Sequence, residues 1–149
     1  MGWNIQCNNS KCNKQTYAVN IVDLIDKHTD SQGWFVCEQC KKTGYIEKSF
    51  ELQEPGEKWE PFLRGVLRLG KPGDTYQPFV FLVSYSAKGK STGIWFSYYK
   101  DLRSSGGKLK LGYGPGGPPV LDTKQITSLL QHLLNQGLMN KNSIDKLIK

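Results

Sequence analysis

The sequence predicts an α+β protein, and three features of the chain support that prediction. Four cysteines lie within the first 40 residues, where they form two close pairs. Aromatic and β-branched runs follow between residues 79 and 111, as is typical of strands. Residues 122–149 then carry apolar side chains at helical spacing.

Size and charge narrow the class of protein. The chain has 149 residues, 38% of them apolar, which suffices for one packed domain or two small ones. No stretch approaches the roughly 20 apolar residues of a membrane span. The first ten residues lack the apolar run of a signal peptide. We therefore expect a cytoplasmic protein without a membrane partner.

The cysteine pairs have the spacing of metal ligands. Cys7 and Cys12 form a C-x₄-C pair, Cys37 and Cys40 form a C-x₂-C pair, and 24 residues separate the two pairs. Such short spacings and the missing secretion signal favour a metal site over two disulfides. The four thiolates predict one structural Zn²⁺ in a closed tetrahedral shell, with no open position for catalysis. Iron in a rubredoxin-like site is the alternative metal; no small-molecule cofactor is expected.

The second cysteine pair also carries a family resemblance. Residues 34–48, WFVCEQCKKTGYIEK, and the arrangement of residues 1–53 resemble the zinc-ribbon class of domains. The first loop is longer than usual, and no glycine directly follows Cys12 or Cys40. The resemblance implies a binding or scaffolding unit over residues 1–53.

The strand pattern is clearest in the middle of the chain. Residues 79–85 and 94–99 are predicted strands, and 109–111 a further one, which together indicate a small antiparallel sheet or barrel. Nearer the N-terminus we predict strands over 16–22 and 45–52, whereas 23–28 fit either a turn or one helical turn. Residues 54–57 form a polar turn and the expected boundary. Residues 59–69 fit a helix or a strand.

The tail predicts a helical hairpin over residues 122–149, which completes a second unit at 57–149. Asp122 can cap a helix over 122–136, with Gln125 as its partner, and Gly137 fits the stop. A second short helix is expected after Asn142 or Ser143. The first helix carries one apolar stripe, formed by Ile126, Leu129, Leu130, Leu133 and Leu134.

The charge is concentrated in one part of the chain. Of a net +7, residues 62–113 contribute nine basic side chains against two acidic ones, which favours an anionic partner. Aromatic residues on the 94–99 strand add the rings on which single-stranded bases stack. Because side chains alternate on a strand, either Trp95 and Tyr99 or Phe96 and Tyr98 point outward. The predicted nucleic-acid surface consists of Lys88, Lys90, Trp95, Tyr99, Lys100, Arg103, Lys108 and Lys110.

No catalytic arrangement is visible. We expect His28 on the surface or in packing, and His132 exposed on its helix. Residues 112–117 match G-x-G-x-x-G, but prolines follow where a nucleotide-binding helix would begin, so we expect a structural loop. The prediction is a non-catalytic, zinc-stabilised protein that binds nucleic acid. A protein-interaction or scaffolding module is the first alternative, and an enzyme with an unrecognised site is the second.

Overall fold

The computed structural model describes residues 2–51, 56–87, 89, 91, 93–112 and 121–147. The helices are α1 (Ile21–Lys27), α2 (Thr123–Asn135) and α3 (Lys141–Leu147). The strands are β1 (Trp3–Cys7), β2 (Gln15–Ala18), β3 (Gly44–Glu47), β4 (Phe50–Glu51), β5 (Lys58–Trp59), β6 (Phe62–Arg68), β7 (Tyr76–Ser84), β8 (Gly93–Asp101) and β9 (Leu109–Leu111). This combination confirms the α+β class.

Seven of the strands form one open antiparallel sheet, in the order β2-β1-β3-β6-β7-β8-β9, while β4 and β5 pair separately. Strand β7 lies within the sheet, and its residues from Gln77 to Ser84 are all buried. Its aromatic and β-branched side chains suit a strand that is covered on both faces. The sheet has two edge strands, β2 and β9. It is therefore open and is not closed into the barrel that the sequence also allowed.

Successive residues of β7 point into two different hydrophobic clusters, one on each face of the sheet. Phe79 and Phe81 belong to the larger cluster, which also holds the buried side of α1. Val80 and Leu82 belong to the smaller cluster with Leu129 and Leu133 of α2. We call these two sides the α1 face and the α2 face.

Helices α1 and α2 each begin at a side-chain cap. The Asn20 side chain accepts a hydrogen bond from the N–H of Asp23 at the start of α1. At the start of α2, the Asp122 side chain accepts from the N–H of Gln125, and the Gln125 side chain accepts from the N–H of Asp122. This is the predicted capping box. Gly137 follows α2 with φ 69°, as a helix stop requires.

The boundaries of several elements differ from the prediction. Strand β2 ends at Ala18, and residues 21 and 22 belong to α1, because Asn20 caps a helix there. The predicted strand over 45–52 is broken into β3 and β4. The ambiguous residues 59–69 are mostly strand, since residue 59 ends β5 and residues 62–68 form β6, and 23–28 are mostly helix.

The predicted units, 1–53 and 57–149, share the sheet. Strand β3 of the first pairs with β6 of the second, through Ile46 opposite Leu63. Side chains from both units also fill the same cluster on the α1 face. The division of the chain into two domains stays a prediction. The zinc-ribbon and helical-hairpin arrangements also stay predictions.

Candidate metal centre and basic surface

The four cysteines converge at one end of the sheet. Their Sγ atoms all lie within 4.8 Å of one another. Two separations that run between the pairs are 3.4 Å, for Cys7 and Cys40, and 3.7 Å, for Cys12 and Cys37. A disulfide needs about 2.05 Å, whereas four ligands at about 2.3 Å from a tetrahedral metal lie about 3.8 Å apart. The cluster therefore has the geometry to hold one metal ion.

The sheet itself brings the two cysteine pairs together. Strand β1 ends at Cys7, whose register partner on β3 is Gly44. The chain before β3 closes a tight turn, in which the N–H of Cys37 donates to the carbonyl of Lys42. The N–H of Asn8 then donates to the carbonyl of Thr43 and joins the two turns. Backbone hydrogen bonds thus fix the site's shape.

The two cysteine turns share an unusual backbone feature. Asn13 directly follows Cys12 with φ 47°, and Lys41 directly follows Cys40 with φ 58°. The left-handed region costs a residue other than glycine about 1 kcal/mol or more. These are the positions where the sequence lacks the expected glycines. Both turns therefore adopt the left-handed conformation that glycine usually provides, although asparagine and lysine occupy these positions.

The surroundings of the sulfur atoms favour different protonation states. Burial raises the pKa of Cys7 to about 12, although the N–H of Asn9 donates to its sulfur at 3.4 Å. The backbone N–H of Lys42 lowers the pKa of Cys40 to about 7. A buried Cys7 thiolate requires a nearby positive charge, and a bound cation supplies one to all four sulfurs.

The histidines lie outside this cluster. His28 is buried, with Nε2 3.7 Å from Asp23 Oδ2 and Nδ1 3.4 Å from Glu38 Oε1. It is therefore a packing residue, one of the two roles expected for it. His132 is half-buried on α2 rather than exposed as predicted.

The edge of the sheet carries a basic surface on the α2 face. Lys100 of β8 and Lys110 of β9 lie directly opposite each other, and both are exposed. Neither has an ion-pair partner among the described residues. Phe96 is four residues before Lys100 on β8, hence on the same face, and is 40% exposed. We call these three residues the basic strip.

The structure corrects the expectation that Trp95 and Tyr99 are the exposed rings. Tyr99 is only 3% exposed and belongs to the cluster of the α1 face. Trp95 is half-buried there, with its ring 5.4 Å from that of Phe81. Tyr98, expected to share the exposure of Phe96, is only 7% exposed, so neither predicted pair of rings points outward as a whole. Phe96 is the exposed ring that the predicted site lacked.

Four further residues complete the predicted surface. Arg103 is exposed, and its guanidinium binds both carboxylate oxygens of Asp101. This pairing lowers the pKa of Asp101. Lys108 is exposed just before β9. Lys88 and Lys90 lie outside the described residues, as do Gly114 and Gly117 of the glycine motif.

Comparison of the chain with protein-family models, curated proteins and solved structures gives no match. None of the helices in the described part of the chain is long and apolar enough to cross a membrane.

Proposed function

We propose that this is a non-catalytic, zinc-stabilised protein that binds single-stranded nucleic acid through the basic strip. The observation that carries this proposal is the direct opposition of Lys100 and Lys110. Like charges opposite each other on neighbouring strands repel, and a bound phosphate would remove that repulsion. Phe96 on the same face offers a ring for stacking.

The spacing of the strip suits a nucleic-acid strand. Phe96 and Lys100 are four residues apart on β8, which corresponds to about 13 Å along the strand. A base stacked on the ring and a phosphate near the lysines can therefore belong to neighbouring nucleotides. Lys108, which is exposed and two residues before Lys110 in the sequence, adds further positive charge, whereas the charge of Arg103 is compensated by Asp101. DNA and RNA share the phosphate and base chemistry used here.

The metal in this proposal is one Zn²⁺, held by Cys7, Cys12, Cys37 and Cys40 as thiolates. Four sulfur ligands suit zinc or iron, and zinc is the usual ion of structural sites of this kind. A shell closed by four protein ligands leaves no position for water, so the ion stabilises the fold and takes no part in a reaction. Free thiols also fit the proposed cytoplasmic location, where cysteines stay reduced.

The proposal is tested by the salt dependence of binding. Fluorescence anisotropy with labelled single- and double-stranded oligonucleotides gives the affinity over a salt series. Each neutralised phosphate contributes about −0.7 to the log–log slope on single strands. The double variant Lys100→Glu/Lys110→Glu should therefore lower the slope's magnitude by about 1.4.

A matched control makes the same change in net charge at two lysines outside the basic strip. Lys124→Glu/Lys146→Glu alters two exposed lysines of α2 and α3 and should leave the slope nearly unchanged. Equal effects of the two double variants would show that only net charge matters. Wild-type binding weaker than about 100 µM at low salt, the usual non-specific limit, would refute the proposal.

A protein partner is the second candidate, and an exposed row on α2 favours it. Ile126 is 45% exposed and Leu130 is 40% exposed. These residues are four apart, so they lie on the same side of the helix. A partner helix or loop could cover this row. We propose no reaction for the second alternative, an enzyme with an unrecognised site.

A further inference from the structure

A cavity of about 510 Å³ lies on the α2 face, at the end of the sheet nearest the second cysteine pair. Thr43, Arg64 and Gln136 supply polar side chains to its wall, while Trp34 and Leu138 supply apolar ones. This volume and mixture are typical of small-molecule sites. None of the described residues that line it is acidic.

Arg64 is the unusual member of this wall. The side chain is only 5% exposed, and neither Nε nor Nη1 has a hydrogen-bond partner in the described part of the chain. Burial lowers the pKa of Arg64, yet a guanidinium stays charged in proteins. A buried charge without a partner is strongly unfavourable. Something that carries negative charge would relieve that cost.

Two paired arginines show that this situation is specific to Arg64. Arg68, four residues later on β6, donates to Asp26 of α1 at 2.5 Å. Arg103 donates to Asp101 through two nitrogens. Among the described residues, a carboxylate pairs with each of these two guanidinium groups, but none pairs with the one that faces the cavity.

The backbone holds Arg64 in place independently of its side chain. The register between β6 and β7 shifts between Leu63 and Gly65, so Arg64 is the extra residue of a β-bulge. Its carbonyl accepts the N–H of Phe35, and Gly33 approaches so closely that a Cβ on Gly65 would overlap the Gly33 carbonyl oxygen. The bulge therefore aims Arg64 without any help from the guanidinium.

We propose that this cavity binds a small molecule with an oxyanion group, a phosphate or a carboxylate, anchored by the Arg64 guanidinium. The planar fork of arginine matches two oxygens of either group. Gln136 Oε1 also lacks a hydrogen-bond partner among the described residues, so it can accept a hydroxyl or amine hydrogen of the same ligand. Trp34 and Leu138 contact the ligand's apolar part. This site is separate from the basic strip and does not depend on the nucleic-acid proposal.

The test uses sodium phosphate and sodium acetate as probes on the full, metal-loaded chain, at ionic strength held constant with sodium chloride. Thermal unfolding is measured as the anion concentration rises. For a Kd of about 1 mM, 10 mM anion should raise the Tm by about 3–6 °C, and above the Kd the rise should grow with the logarithm of the anion concentration. The anion that gives the larger rise at equal concentration identifies the preferred group.

Three variants separate the cavity from other cationic sites. Arg64→Met should lose the anion-dependent shift, and its Tm without anion should equal or exceed that of wild type, because an unpaired buried charge is removed. Arg64→Lys keeps the charge without the fork and should bind about tenfold more weakly. Arg68→Met removes a paired arginine of the same strand and should keep the full shift.

Two results would overturn the proposal. The first is a wild-type Tm that responds to phosphate and acetate no more than to chloride, which would indicate that water satisfies Arg64. The second is an equal shift in wild type and Arg64→Met, which would locate the anion elsewhere. If Arg64→Met does not fold, an anion-dependent Tm rise in Arg64→Lys equal to that of the wild type would likewise locate the anion elsewhere. Lys100→Glu/Lys110→Glu should keep the shift, which distinguishes this site from the basic strip.

Discussion

The two faces of the sheet treat their charged groups differently. On the α1 face, Arg68 is paired with Asp26, and Lys27 with Asp23. On the α2 face, Arg64 is buried, and its Nε and Nη1 have no hydrogen-bond partner in the part of the chain that the structure describes; the lysines of the basic strip oppose each other. The α1 face satisfies its own charges and serves stability. The α2 face leaves charges that an external anion would satisfy, so we expect binding there.

The cysteine cluster belongs with the stable side. Trp3, Ile5 and Cys7 alternate with more exposed residues along β1, and all three are buried. Trp3 and Ile5 lie in the cluster of the α1 face. The row of core positions therefore continues directly into Cys7, the first of the four proposed metal ligands, so we expect loss of a bound metal to disturb that core.

Removal of the metal should have the largest effect. Cys37→Ser, or a strong chelator, should unfold at least residues 1–53, because structural zinc contributes about 10–16 kcal/mol and whole domains have only about 5–15 kcal/mol of stability. Circular dichroism with and without chelator measures the loss. Elemental analysis of the wild type should find about one zinc per chain.

Lys41→Gly is a useful companion to Cys37→Ser. It alters the neighbouring turn, keeps all four ligands, and removes the left-handed strain at that position. It should fold with metal bound. A folded, metal-free wild-type protein, or one with two disulfides, would contradict the assignment of the metal.

The sequence predicted well that the four cysteines come together, because that signal is local. Cysteine spacing within each turn depends on a few residues, and the turn geometry survives even with Asn13 and Lys41 in place of glycine. The covered face of β8 depends instead on where distant helices pack. Alternation groups Trp95 with Tyr99 but contains no information on the position of α1. Nothing in the sequence distinguishes Arg64 from the other eight basic residues of 62–113. Neither the β-bulge nor the missing carboxylate partner can be predicted from residue spacing.

The second largest effect should come from α2, where two leucines provide a matched comparison. Leu133 is 6% exposed and packs on the sheet, whereas Leu130 is 40% exposed. Leu133→Asp should destabilise the protein by about 3–5 kcal/mol, since an unpaired charge enters the core. Leu130→Asp should cost less than about 1 kcal/mol. Denaturant unfolding of both variants gives the two values.

This pair also tests the second candidate function. If Leu130→Asp folds normally but no longer binds a protein that the wild type binds, the exposed row is an interaction surface. Similar losses of stability in both variants would show that the exposed row on helix α2 is more buried than its exposed fractions indicate.

A smaller effect is expected from the two neighbouring rings of β8. Phe96→Ala should weaken single-strand binding by about 1–3 kcal/mol, the usual value for one stacked base, with little change in the salt slope or stability. Trp95→Ala should instead lower stability by about 2–3 kcal/mol, because its half-buried ring packs on Phe81. Anisotropy and thermal unfolding, measured on both variants, separate the two roles. Binding lost through Trp95 alone would reverse the assignment of the two faces.

The smallest effect concerns the internal ion pair of the α1 face. The Lys27 side chain, then the N–H of Val19, lowers the pKa of Asp23 in the folded protein, and His28 lies nearby. The folded state therefore binds fewer protons than the unfolded state around the unfolded pKa of about 3.9. The stabilisation is complete above that value and is lost as the pH falls through the lowered pKa.

Asp23→Asn should remove this contribution, at most about 1 kcal/mol because Lys27 is solvent-exposed. The wild type should be the more stable protein above about pH 5, and the difference should shrink towards zero in stronger acid. Acid also protonates the metal ligands, but it does so in both proteins, so the difference between them isolates Asp23. A difference that stays constant down to about pH 2, well below the unfolded pKa, would mean that the substitution acts on packing. In that case the α1 face would owe its stability to its apolar cluster and not to its paired charges.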